Sequence, residues 1–274
     1  MQVGWQYPDF SKDEFAPKRQ RYALCVFMIN EGARIQAQLQ KMKGLADKVD
    51  IILADGGSTD GSLLPDLLKS CNVRVLLTKR GPGKLSAQMR MALAFAMEET
   101  YEGVILVDGN DKDDTSAVPS FVSALDDGFD HVQGSRYIPD GKAINTPFLR
   151  HWGVMLLHSP LISLAARFRY TDTTNGFRAY SRRFLLDERV QPFRDVFQRY
   201  ELHYYLAIRA ARLGYKVKEV PVTRAYPAGA PAPTKISPFK GNLLVLQTLF
   251  RACLGKYNPT PQAAALSDEV RVIK

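Results

Sequence analysis

The chain has 274 residues, 46% of them hydrophobic and 24% charged, with a formal net charge of +9. That is enough apolar chain to bury one sizeable core, which excludes a disordered or fibrous class. The positive balance calls for an anionic partner, yet the basic residues cluster between Arg136 and Arg183 and from Arg209 to Lys240 without zinc-finger spacing or aromatic-interleaved strands, so nucleic acid is not expected.

Residues 1–20 carry charges and prolines where a secretion leader needs an apolar run, and are expected as an N-terminal extension. Strands at 22–29, 49–54, 73–77 and 103–107 then alternate with helices at 33–42, 62–69, 85–98 and 116–125. Such alternation predicts an α/β fold, a doubly wound and mostly parallel sheet flanked by helices. A short strand at 130–133 follows, then a basic loop, an apolar helix at 148–168, a short segment at 177–180, a helix at 200–213 and a strand at 216–220. A Pro/Ala/Gly loop at 226–234 leads to an amphipathic helix at 236–254. The domain reading is an extension (1–20), a catalytic domain (21–234), a C-terminal amphipathic helix (235–256) and a flexible tail (257–274).

Cys25, Cys71 and Cys253 are odd in number and lack metal-ligand spacing, which favours a reducing compartment and a cytoplasmic location. The apolar stretches 152–166 and 243–254 fall short of the roughly 20 residues a spanning helix needs.

Two strand ends carry the chemistry. The apolar runs at 51–54 and 104–107 stop at Asp55-Gly56-Gly57-Ser58-Thr59-Asp60 and Asp108-Gly109-Asn110-Asp111. Open parallel sheets bind ligands at the carboxyl ends of their strands, and two sets of carboxylates there imply a cation, a polyhydroxylated ligand, or both. Asn30 and Glu31 end another strand and serve either as helix caps or as ligand contacts. Gly81-Pro82-Gly83-Lys84 opens a helix, either as a tight turn or as backbone N–H groups and a lysine facing an anion. Asp113 and Asp114 read as a solvated acidic cap on the next helix. Gly176 reads as a turn glycine at a special backbone angle.

These pieces, with Gly134-Ser135-Arg136-Tyr137, Asn175-Gly176-Phe177-Arg178 and the 214–221 segment, occur in a recognisable order. The chain resembles family 2 glycosyltransferases of the GT-A fold, most closely their polyprenyl-phosphate branch. The resemblance implies an inverting transfer of a hexose from a nucleotide-diphosphate sugar, of GDP-mannose or UDP-glucose type, to a polyprenyl phosphate, with Mg²⁺ or Mn²⁺. It implies Asn30, Glu31 and Asp55 at the nucleoside, with Lys84 facing the donor's anion. Asp108 corresponds to the leading Asp of an Asp-x-Asp metal motif, with Asn110 in place of the second Asp and Gly56 in place of an acidic partner of Asp55. It implies Arg136 and Arg150 on the acceptor phosphate, and Asp172 as a base, with Glu201 behind it, if the acceptor is instead a soluble or glycan hydroxyl. A peripheral position at the inner face of a membrane is expected, docked by the C-terminal helix unless that helix closes the catalytic domain. A membrane partner subunit or a homo-oligomer is compatible with this reading. Two other classes are an inert nucleotide-sugar-binding protein, which Gly56 and Asn110 favour, and a sugar-phosphate nucleotidyltransferase, disfavoured by the lack of an early Gly-x-Gly-Thr-Arg loop.

Overall fold

The computed structural model describes residues 4–227 and 240–260. Its elements are β1 (Phe10–Glu14), β2 (Tyr22–Met28), α1 (Ala33–Met42), β3 (Asp50–Asp55), α2 (Pro65–Ser70), β4 (Val73–Lys79), α3 (Leu85–Glu98), β5 (Gly103–Asp108), α4 (Val118–Asp126), β6 (His131–Ser135), β7 (Lys142–Ile144), α5 (Phe148–Gly153), α6 (Ser159–Ala166), β8 (Arg178–Ser181), α7 (Arg182–Leu185), α8 (Glu201–Arg212), β9 (Val217–Pro221), β10 (Thr223–Ala225) and α9 (Lys240–Cys253). Eight strands form one sheet in the order β1-β4-β3-β2-β5-β8-β6-β9, and β7 pairs with β10 in a second, two-stranded one.

Every residue of β2 and β3 is buried. Their unbroken apolar runs therefore reflect a sheet covered on both faces. On one face Met89, Leu93, Phe197, Leu206 and Leu249 pack together, and on the other Ile35, Leu39, Leu53, Ile105 and Phe121 do. β2 is the switch point of the winding. β3 and β4 are added on one side of it in parallel, and β5 pairs in parallel on the other. Met28 is in register with Asp55 and Phe27 with Asp108, so both carboxylates end level with the last turn of β2. This is where open α/β sheets leave a crevice for ligands.

Several expectations are revised. Residues 10–14, placed in the extension, form an edge strand antiparallel to β4. Their polar sequence Phe-Ser-Lys-Asp-Glu suits an exposed edge and hides the strand from an apolar pattern. The single helix expected at 148–168 is broken into α5, a π-helical turn (Val154–His158) and α6. Pro160 lies in the first turn of α6, where its missing N–H disrupts the helical ladder. α9 buries Thr248, Leu249 and Ala252 and packs on α8 and α6, so its described part helps to close the domain. The loop beyond Pro227, the helix start at Ile236, Lys235 and the tail from residue 261 lie outside the described residues. Among the described residues no helix is long and apolar enough to cross a membrane.

Candidate functional site

Asp108 is the last residue of β5 and keeps 28% of its side chain exposed. Gln38 on α1 holds the backbone around it. Gln38 Nε2 donates to the Asp108 carbonyl at 2.9 Å, and the Asp111 N–H donates to Gln38 Oε1 at 2.7 Å. Gln88 on α3 does the same for the neighbouring strand ends, donating to the carbonyls of Met28 and Ala54. From the other side comes Gly176, where an added Cβ would stand 3.1 Å from Asp108 Oδ1. Its backbone is not in the left-handed region, so the turn expected of Gly176 is replaced by a close-approach requirement.

Asn110 lies two residues on. Its Nδ2 faces Asp108 Oδ2 at 3.5 Å, and its Oδ1 is buried without a hydrogen-bond partner. A bare amide oxygen beside a carboxylate suits a hard cation, since an unsatisfied buried acceptor is costly. Among the described residues no group of three or more His, Cys, Asp or Glu side chains converges on one point. A metal here would take much of its coordination from a ligand or from water, as Mg²⁺ commonly does.

Arg224 on β10, which sequence reasoning did not single out, organises the far side. It donates to Asp113 and, through Nη2 at 3.1 Å, to Asp108. Asp113 is fully buried, not the solvated cap expected, and burial pushes its carboxyl up to about 6 against the pull of Arg224. Asp114 does cap, accepting from the Ser116 N–H at 3.0 Å. Tyr226 stands among three cations: Lys112 Nζ is 5.3 Å from its ring centroid, the Arg150 guanidinium 5.5 Å and the Arg224 guanidinium 5.8 Å. Arg150 Nη1 also donates to the Tyr226 hydroxyl at 2.9 Å. Burial alone would raise the Tyr226 phenol, but Arg224 and Arg150 outweigh it and hold it below its ordinary value. Lys112 is held below its usual range by burial and by Arg224. The concentration of positive charge suits an anion.

Arg136 and Asp172 form a buried, two-point ion pair, with Nε donating at 2.6 Å and Nη2 at 3.0 Å. Asp172 is fully buried and also accepts from the Thr174 N–H and hydroxyl. Its oxygens are thus spent on orienting Arg136 and closing the 172–174 turn, a poor arrangement for taking a proton from an acceptor. Glu201 accepts from the Arg199 N–H at 2.6 Å at the start of α8. Arg178, fully buried, donates to the carbonyls of Thr173, Asn175 and His203, and so positions this segment beside Asp108.

At the end of β3, Asp55 accepts from the Ser58 N–H and hydroxyl. Asn30, in a left-handed conformation, accepts from the Thr59 N–H at 2.8 Å through its side-chain oxygen and donates its own backbone N–H to Ser58 Oγ at 2.9 Å. These two residues fix the 56–59 loop instead of capping α1, whose N-cap Gly32 has no side-chain cap. Glu31 pairs with Arg34 at 2.7 Å. Lys84 is exposed at the start of α3, but the N–H groups of Lys84 and Ser86 already donate to the carbonyls of Gln198 and Arg199. That leaves fewer backbone donors for an anion than the glycine-rich turn suggested.

Residues 24–188 match the model of the glycosyl transferase family 2. A dolichyl-phosphate hexose transferase of Haloferax volcanii is 26% identical over 82% of this chain and 90% of its own length. A polyprenol monophosphomannose synthase of Mycolicibacterium smegmatis is 26% identical over 74% of this chain and 77% of its own. An undecaprenyl-phosphate mannosyltransferase of Micrococcus luteus is 26% identical over 71% and 79%. Glucosyl-3-phosphoglycerate synthase from Mycobacterium tuberculosis, solved with Mn²⁺, UDP and glucosyl-3-phosphoglycerate, superposes with a TM-score of 0.59 at 16% identity, over 88% of this chain and 81% of that one. The architecture is therefore the GT-A fold.

Proposed function

The chain belongs to glycosyl transferase family 2, and from that membership we propose that it transfers a hexose, with inversion, from a nucleotide-diphosphate sugar to a polyprenyl phosphate. The observation that carries the reading is the joining of two halves in one site. A carboxylate and a bare amide oxygen at Asp108 and Asn110 stand next to the Arg150–Tyr226–Arg224 cluster, and Gly176 ties them to the segment that holds Arg136. The names of the three relatives, a dolichyl-phosphate hexose transferase, a polyprenol monophosphomannose synthase and an undecaprenyl-phosphate mannosyltransferase, support the acceptor class.

Asp108 and Asn110 Oδ1 would hold Mg²⁺ or Mn²⁺, which when bound neutralises the departing nucleoside diphosphate. Asn30, Glu31, Asp55 and Lys84 would form the donor side, largely through the loop that Asn30 and Asp55 keep in place. Arg136 and Arg150 would grip the acceptor phosphate by charge-assisted hydrogen bonds. Asp172 keeps the Arg136 fork in one orientation. A phosphate monoester is largely ionised near neutral pH, so one of its oxygens attacks the anomeric carbon without losing a proton to the protein. The bond from that carbon to the diphosphate breaks, and its electron pair leaves with the diphosphate oxygen. Holding the two reactants in line contributes to the acceleration. The enzyme would then work in the cytoplasm, peripheral at the inner face of a membrane.

The test is transfer of radiolabelled hexose from UDP-, GDP- and TDP-sugars, with Mg²⁺ or Mn²⁺, to undecaprenyl or dolichyl phosphate and to water-soluble acceptors. Label in the lipid fraction is expected. Nucleotide release with a soluble hydroxyl acceptor alone would overturn the phosphate reading.

A further inference from the structure

Residues 5–9 precede β1 and tie together two loops that lie far apart in the sequence. On one side the Arg80 N–H at 2.7 Å and the Gly81 N–H at 3.2 Å both donate to the Asp9 carbonyl. On the other the Gln6 N–H donates to the Phe193 carbonyl at 2.8 Å, and the Asp195 N–H to Gln6 Oε1 at 2.9 Å. Trp5 stacks on Phe193 with ring centroids 4.0 Å apart. The buried Arg90 of α3 donates to the Gln6 carbonyl and, at 3.0 Å, to that of Phe197. The two loops also bond to each other, through the Lys84 and Ser86 N–H groups on the carbonyls of Gln198 and Arg199. The 80–84 turn is therefore gripped from both sides. A Cβ added at Gly81 would stand 2.9 Å from Pro8 Cβ, and one at Gly83, whose φ is +96°, 2.5 Å from Gln198 Oε1.

That turn belongs to the rim of the site. β4 runs parallel to β3 with Thr78 in register with Asp55, so the turn leaves the sheet beside that carboxylate. In the loop that Asp55 holds, a Cβ added at Gly57 would stand 3.4 Å from the Lys79 carbonyl oxygen. α3 starts directly after the turn and carries Gln88 to the carbonyls of Met28 and Ala54. We infer that residues 5–9 are a positioning element for the nucleotide-sugar donor. By fixing the 80–84 turn and the start of α3, they set the affinity for the donor's nucleoside diphosphate. A turn clamped before the ligand arrives spares binding the cost of ordering it. The sequence expectation made these residues an extension outside the catalytic domain, whereas here they brace its donor wall. The inference rests on the proposed function in one respect, the assignment of Lys84 and its turn to the donor side.

The experiment combines amide hydrogen exchange with calorimetric binding of UDP, GDP and TDP in Mn²⁺, on the full chain. Trp5→Ala and Gln6→Ala each remove one tie. Gln6 is exposed and Trp5 half-buried, so both variants should fold. In each, the amides of Arg80, Gly81, Lys84 and Ser86 should exchange faster than in wild type, while those of the 56–59 loop keep their rates. Kd for the diphosphate that wild type binds most tightly should rise roughly tenfold, with the acceptor KM unchanged. Trp5→Phe, which keeps the stack on Phe193, should restore both. Unchanged exchange at these four amides would overturn the inference. So would an unchanged Kd in both variants while Lys84→Ala weakens binding, since the turn would then meet the donor without needing its brace. An unchanged Kd in Lys84→Ala as well, or no binding of any of the three diphosphates by wild type, would sink the donor assignment of the turn and the inference with it.

Discussion

Arg224 and Asp108 meet across the site, the guanidinium on β10 reaching the carboxylate at the end of β5 at 3.1 Å while its other arm holds the buried Asp113. The cation that neutralises two acidic groups of the β5 end thus comes from the far end of the chain. Burial opposes its charge, but Asp113 and Asp108 outweigh that and raise its pKa.

Removing this arginine should be costly. Arg224→Met leaves Asp113 buried without a countercharge, a change worth about 3–5 kcal/mol. Asp113 already binds a proton more tightly folded than unfolded, with its carboxyl pushed up to about 6. Without Arg224 that preference grows, so the native state holds the extra proton at low pH and loses it as pH rises. The deficit should therefore be larger at pH 8 than at pH 5 in urea unfolding, and Arg224→Met/Asp113→Leu should recover most of it. A deficit independent of pH would disprove the pairing.

The central sheet was legible because the runs 51–54 and 104–107 are buried on both faces and stop at carboxylates. What could not be read is what closes the site in three dimensions. Gln38 and Gln88 are polar residues inside helices, and nothing in their local pattern says that they hold the ends of β2, β3 and β5. Arg224 did leave a signal. Val222, Arg224 and Tyr226 alternate with less buried neighbours, so an arginine occupies an inward position of a strand and needs a buried partner. The pairing of Arg136 with Asp172 was hidden for a different reason, because the two residues lie in separate loops that only the folded sheet brings together.

That pair makes a distinct prediction. If Asp172 orients Arg136, Asp172→Asn should lower kcat/KM for the acceptor by about 10²-fold. The loss should be the same across the pH range, with the donor KM unchanged. A general base would instead lose one limb of the pH–rate profile. Thermal unfolding of the same variant checks that the fold survives, because the neighbouring guanidinium is left partly uncompensated.

Chelation addresses the metal. EDTA should abolish transfer, and Mg²⁺ or Mn²⁺ should restore it. Asp108→Asn should cost about 10²–10³-fold in kcat, the scale for removing a group that stabilises developing charge. Asn110→Asp replaces the bare amide oxygen with a charged ligand and should tighten Mn²⁺ binding roughly tenfold, about 1.4 kcal/mol, measured by electron paramagnetic resonance. Full activity in EDTA would remove the metal from the scheme.

Behind the site, acid should loosen the core. His131 is fully buried and stacks on Tyr180 at 5.1 Å. Burial, with Arg178 nearby, lowers its pKa from 6.5 to about 3. His203 and His158 are lowered by burial as well. Between pH 6.5 and 3 the unfolded chain therefore binds more protons at these positions than the folded one, so stability falls as pH falls. At pH 4.5 His131 alone should cost about 2–3 kcal/mol relative to pH 7. Asp113 and Glu219, whose carboxyls burial raises, act with the opposite sign and mask part of the slope. Comparison with His131→Phe removes that masking, since the carboxylates are common to both proteins and the aromatic stack on Tyr180 is kept. Urea unfolding should find the variant gaining on wild type steadily from pH 6.5 to 4.5. Parallel curves would mean that His131 is protonated in the folded protein.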